Sequence, residues 1–238
     1  SFHELIGNDA AFELLGVTEA DTKGHHEIDW ERGHFWENGT MELVPKMPFL
    51  FAPANFGQGM VNFMEMLHRG GVTTALDMGT GIFGNPEAEI GMIRRAAESA
   101  KSPSRIIITP IITDFLARGK TPVQAEQEID SWRKQDSPRV SVGQHFKLML
   151  DGAIFSGLAQ MGAPGYLDGH QGQWMAPLDV TAEWARHFWK AGYQIHAHTN
   201  GDESADAFLD LLRSLQQEYP RVDHRFALEH FAYTTEDQ

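Results

Sequence analysis

The sequence predicts an α/β protein built on a parallel sheet, and three observations carry that expectation. From residue 72 onward, short β-branched apolar runs alternate with amphipathic segments of helical period. Those amphipathic segments open with proline and capping side chains. The composition, 42% hydrophobic and 22% charged over 238 residues, suits a globular chain with a substantial core.

In chain order, residues 1–54 read as an insertion segment. One short helix is expected at NDAAFELLG (8–16), followed by an irregular stretch, DTKGHHEIDWERGHFWENG. His25, His26 and His34 in that stretch read as loop or surface residues. Residues 55–238 form the main domain. Strands are expected at Val72–Met78, Arg105–Ile112, His145–Asp151, Tyr193–His198 and Arg225–His230, apolar enough to be covered by helices on both faces.

Between them, Asn85-Pro86 starts a helix with Glu87 and Glu89 in its first turn. Thr121-Pro122 starts a second ahead of VQAEQEIDSWRKQ. Asp179 or Thr181 is expected to cap TAEWARHFWKA, which stops at Gly192. Glu203–Tyr219 carries a helical apolar stripe and ends before Pro220. Short strands alternating with helices imply βαβ units, in an open or a closed sheet.

Charge and composition exclude several classes of partner. With 19 basic against 33 acidic residues the net charge is −14, which disfavours nucleic acid and anionic membranes. No apolar run is long enough to cross a membrane and no secretory signal is visible. The missing signal says little where the true N-terminus is expected upstream of residue 1, so the location stays open, with the cytoplasm the first expectation. The absence of cysteine removes thiolate metal sites and thiol nucleophiles. Any metal falls to histidine, carboxylate or a less usual ligand.

Two motifs raise alternatives. GTGIFG (79–84) follows a strand and matches G-x-G-x-x-G, which would suit a NAD-dependent dehydrogenase. However, the helix start at Asn85-Pro86 lies beyond the last glycine, and no acidic residue ends a second strand at the required distance. QIHAHTNGD (194–202) places His196 and His198 on the same face of one strand. They could form an H-x-H metal clamp, a single ligand with a neighbour, or two core histidines.

Ligands in parallel α/β folds gather at the carboxyl ends of strands. Those ends carry Asp77, Lys147 with Asp151, His198 with Asp202, and His230, the inventory of a metal hydrolase. Lys147 is the odd member, because a buried ammonium needs a partner, neutralisation or modification. An ion pair with Asp151 or Asp77 is the simplest alternative. His170, in the loop GAPGYLDGHQGQW with Tyr166, Asp168 and Trp174, is a candidate for lining a substrate pocket.

KLMLDG (147–152), HTNGD (198–202) and ALEH (227–230) are together similar to three motifs of the amidohydrolase superfamily. They resemble amidohydrolase family 3, the N-substituted formamide deformylase-like branch. SFHELIGNDAAFELLGV and GVTTALDMG resemble that family's insertion after its first barrel strand and its second strand. The resemblance implies a partial (β/α)8 TIM-barrel, about strands 2 to 6, with an N-terminal insertion. It implies that Lys147, His198 and His230 are metal ligands, with Lys147 carbamylated and His196 one layer deeper than His198. Asp151, His170, His196 and Asp202 are then expected to line or support the substrate site.

By the same resemblance, the family's H-x-H pair lies upstream of residue 1, and its general-base aspartate beyond residue 238. The chain is therefore expected to be a fragment, with little bound metal and no hydrolase activity alone. Its exposed sheet edges would favour self-association into a homo-oligomer. The implied reaction is hydrolysis of a C–N bond of amide, N-acyl or N-formyl type in a small-molecule substrate. One or two divalent ions per complete site, Zn2+ first, would activate the water. A metal-free barrel relative with a binding or regulatory role is the non-enzyme alternative.

Overall fold

Strands from residue 74 onward run parallel and, within each of two sheets, pair with their sequence neighbours in the computed structural model, which describes residues 3–99 and 104–238. The N-terminal segment comprises β1 (Glu4–Ile6), α1 (Asp9–Leu15), α2 (Glu19–Thr22), β2 (Ile28–Asp29) and β3 (His34–Trp36). Two 3-10 turns follow, then α3 (Pro48–Phe51) and α4 (Pro53–Arg69). Next come β4 (Thr74–Thr80), α5 (Pro86–Ser99), β5 (Arg105–Pro110), α6 (Ile112–Ala117), α7 (Pro122–Arg133) and β6 (Val140–Val142). The chain continues through β7 (His145–Met149), α8 (Leu178–Lys190), β8 (Gln194–Thr199), α9 (Asp202–Glu218) and β9 (Ala227–His230).

The N-terminal segment is more ordered than its sequence predicts. Asn8 caps α1 by accepting from Ala11 N, and Gly16 ends it at a φ of 63°. The stretch expected to be irregular contains β2 and β3, which join β1 in an antiparallel sheet of order β1-β3-β2. Strands of two or three residues are too short for a period-2 pattern to register. Phe12, Val17, Phe35 and Leu43 give this segment its own small core. The 54/55 boundary read from the sequence falls within α4.

Two parallel sheets, of order β4-β5-β6 and β7-β8-β9, make up the rest. A bridge between Ile111 and Lys147 joins them. Gly143 and Gln144 separate β6 from β7, and a Cβ at Gly143 would lie 2.6 Å from Ile107 Cγ2, so only glycine fits there. The apolar run at 105–112 is not all strand: it breaks after Pro110, and Ile112 begins α6. Hydrophobicity alone cannot separate a buried strand from a buried helical turn. Helix α8 begins after Pro177, so neither Asp179 nor Thr181 is its cap, and Thr181 is buried inside the helix.

Alternation along β7 divides the molecule into a helical layer and a polar face. Phe146 and Leu148 are fully buried, and Phe146 stacks 3.7 Å from Phe188 of α8, centroid to centroid. Lys147 and Met149 point the other way, registered with His196 and His198 on β8. The aromatic layer thus holds β7 in place from behind while its other face presents the ionisable groups.

Candidate active site

Lys147 lies in mid-strand, 4% exposed, and among the described residues no carboxylate pairs with its ammonium. Asp77 instead accepts from Thr80 Oγ1 at 2.6 Å. Asp151 is saturated by the Asn200, Gly201 and Gln160 amides and Ser204 Oγ, at 2.8–3.0 Å. The ion pair considered for Lys147 is therefore not formed with either aspartate. Burial pushes the Lys147 amine down to about 8, opposed only by the field of Glu229.

His198 sits on the next layer of β8. Asn200 Nδ2 lies 2.8 Å from its Nε2, while its Nδ1 has no protein hydrogen-bond partner among the described residues. Burial, with His230, Lys147 and His3 nearby, pushes its titration down to about 3, so the ring is neutral. His230 ends β9, and its ring centroid is 4.5 Å from that of His198. Burial and Lys147 also lower its titration. No hydrogen bond to its side chain exists among the described residues.

His196 has a different environment. Its Nε2 lies 2.9 Å from His145 Nδ1 and its Nδ1 lies 2.7 Å from Glu229 Oε1. Both ring nitrogens are thus committed to protein partners, one layer below His198. Asp202 accepts from the Gly162 amide at 2.8 Å and ties that loop to the start of α9. His170 contacts Asp168, the Gly157 carbonyl and the Tyr166 ring, and none of its contacts is with Lys147, His198 or His230.

Sequence reasoning missed His3, Glu37, Asn200 and Glu229. The His3 ring lies 6.1 Å from that of His198, and its Nδ1 is 3.0 Å from Glu37 Oε2. Glu37 is buried and adopts a φ of 42°, a strained conformation for a side-chain-bearing residue. Its other oxygen accepts from Ala153 N at 2.9 Å and from Ser156 Oγ, just past β7. His3 and Glu37 also line a cleft of about 290 Å3 with Gly81, Phe83, Asp114 and Met149. Asn200 and Glu229 stood inside the HTNGD and ALEH motifs. His3 and Glu37 gave no comparable signal, because their placement depends on a contact 116 residues away.

The glycine turn at 79–84 is not a phosphate cradle. The Gly81 and Phe83 amides donate to Glu89, at 2.8 and 3.0 Å, and those of Ile82 and Gly84 bond within the turn. A dinucleotide would meet a carboxylate where it needs free N–H groups, and α5 opens only at Pro86. The dehydrogenase reading has no support here.

The sequence profile of the amidohydrolase family matches residues 2–238. The chain belongs to the amidohydrolase family. Its fold is similar to crystal structures of two uncharacterized metal-dependent hydrolases, from Pyrococcus horikoshii OT3 and Pyrococcus furiosus. The TM-scores are 0.63 and 0.62, each at 17% identity over 99% of this chain. The amidohydrolase chain spans less than half of those structures, 44% and 45% respectively. No curated protein matches it.

Among the described residues, no group of three or more His, Cys, Asp or Glu side chains is gathered to hold an ion. Three other groups do share one face of the sheet: the His198 and His230 imidazoles, in contact with each other, and the Lys147 amine, whose field reaches both rings. All have coordination capacity that no protein group uses. Two neutral imidazoles and an amine of depressed basicity fit a metal once the lysine becomes an anionic oxygen donor.

Proposed function

We propose that this chain is about strands 2 to 6 of a (β/α)8 barrel in a metal-dependent amidohydrolase. The reaction is hydrolysis of a C–N bond, of amide, N-acyl or N-formyl type, in a small-molecule substrate. Its N-substituted formamide deformylase-like character rests on the KLMLDG, HTNGD and ALEH motifs. The observation that carries the reading is the meeting of His198 and His230, 4.5 Å apart, beside an unpaired buried lysine.

Lys147, His198 and His230 would hold one or two divalent ions, zinc first among them given the nitrogen and oxygen donors. Bound there, the ion would supply a water of pKa about 7 and polarise the scissile carbonyl. Lys147 contributes as a carbamate: its neutral amine adds to carbon dioxide, an N–C bond forms and a proton leaves. Asn200 holds the His198 ring through Nε2, and His196 with Glu229 buttresses the strand below. Glu37 fixes His3 at the cleft beside His198. Self-association into a homo-oligomer belongs to the same proposal, through any sheet edge left open once the barrel strands are assembled.

The test uses the complete protein: metal analysis, mass spectrometry for a carbamate on Lys147, and a panel of N-formyl and N-acyl amines. Stoichiometric metal with chelator-sensitive hydrolysis is expected. Absence of both would favour a metal-free barrel with a binding role.

A further inference from the structure

The 79–84 turn is unused by the chemistry above, yet Gly81 and Phe83 line the same cleft as His3 and Glu37. One side chain holds it. Glu89, 7% exposed in the first turn of α5, accepts Gly81 N on one carboxylate oxygen and Phe83 N on the other. Gly81 has a φ of 103°, and a Cβ there would lie 2.9 Å from Asp114 Cβ, so the turn is pressed against α6.

The groups facing Glu89 are acidic. Asp77 approaches from β4, with Thr80 Oγ1 donating to it at 2.6 Å. Asp114 approaches from α6, paired with Arg118, which also binds Glu128. Helix α4 presents Phe56, Met60 and Phe63 to the adjoining apolar cavity. Among the described residues no cation lies within ion-pair distance of Glu89.

We propose that Glu89 is a positioning residue: its carboxylate clamps the 79–84 turn as a wall of the cleft, and uptake of a proton releases one of the two clamp bonds. The proposal rests on the hydrolase reading only in taking this cleft as the substrate's. A carboxylate offers two strong acceptors, whereas the acid keeps only its carbonyl oxygen and turns its hydroxyl into a donor. That donor would find Asp77 or Asp114. Burial, with Asp77 and Asp114 adding to it against the two amides, raises the Glu89 carboxyl to about 7.

The sign gives a distinctive signature. The folded state binds the extra proton between 4.5 and about 7, so Glu89 makes global stability fall as pH rises through that interval. The clamp itself tightens at the upper end of that interval, as the folded carboxyl loses its proton at about 7. A residue that merely packs would not link the two.

The test is an NMR titration of the isotope-labelled 238-residue chain from about pH 5.5 to about 8.5, with no metal or substrate added. The Gly81 and Phe83 amide protons should move downfield together with a midpoint of about 7, as charge-assisted bonds form. In Glu89→Gln they should be flat. Flat amides in the wild type, or an unchanged titration in the variant, overturn the proposal. If the variant does not fold, the wild-type Glu89 carboxyl signal decides: a midpoint near 4.5 overturns it. Failure here leaves the metal reading untouched, since neither metal nor turnover enters the measurement.

Discussion

The His230 ring meets the His198 ring edge to face, at 72°, although strand alternation alone would send it away. In the β8–β9 register His198 lies beside Glu229, and His230 lies beside Thr199. Adjacent residues on a strand face opposite sides. A φ of 73° at His230 breaks the alternation and turns its ring back to the shared face. Strained, non-glycine backbone of this kind is retained where the surrounding structure and the site require it.

Replacing His230 by glycine should therefore separate stability from function. Relief of the left-handed conformation is worth about 1 kcal/mol, so urea midpoints should hold or rise slightly. Metal affinity of the complete protein should fall at least about tenfold. A clear loss of stability with metal binding intact would assign the ring to packing.

The two histidines of β8 should respond differently. His198→Ala is expected to abolish most metal binding. His196→Ala should retain metal but lose about 2 kcal/mol, because Glu229 and His145 are left without their partner. Equal metal loss in both variants, measured by elemental analysis, would restore the clamp reading.

Lys147→Met should stabilise the metal-free chain by about 1–3 kcal/mol, since an unpaired buried ammonium is replaced by an apolar chain of similar length. The same change should eliminate turnover. Chemical denaturation and the amide-hydrolysis panel read the two effects independently, and a destabilised variant would point to a hidden partner for the ammonium.

Glu37 predicts an acid response. Burial alone would raise its carboxyl, but the bonds from His3, Ser156 and Ala153 outweigh that and hold it below 4.5. Its contribution is complete above that value and is lost as pH falls below it. Limited proteolysis should then show residues 1–46 loosening from the 151–158 loop in mild acid. Glu37→Gln should be loosened already at neutral pH, and an unchanged digestion profile would count against the anchor.

Much of the main domain was legible because its signals are local. Proline and side-chain caps marked α5 and α7, and β-branched runs marked β4, β5, β7, β8 and β9 to within a few residues. Residue type at strand ends gave Asp77, Lys147, Asp151, His198, Asp202 and His230, and the resemblance of KLMLDG, HTNGD and ALEH to the family's motifs chose Lys147, His198 and His230 among them. The short strands β2, β3 and β6 and the helix α6 stayed hidden, since two to six residues carry too little periodicity. The cap expected at Asp179 or Thr181 failed because α8 starts directly after Pro177.

By itself, the sequence determined a parallel α/β chain without thiol chemistry or a basic face, and the three motifs that announce its family. Only the tertiary structure decided that His196 is committed to His145 and Glu229, leaving His198 to face His230. It alone brought His3 and Glu37 onto the cleft and filled the glycine turn with Glu89. The physical reason is range. Caps and periodicity act over a few residues, whereas these contacts depend on backbone turns and buried hydrogen bonds between distant segments, up to 119 residues apart between Glu37 and Ser156.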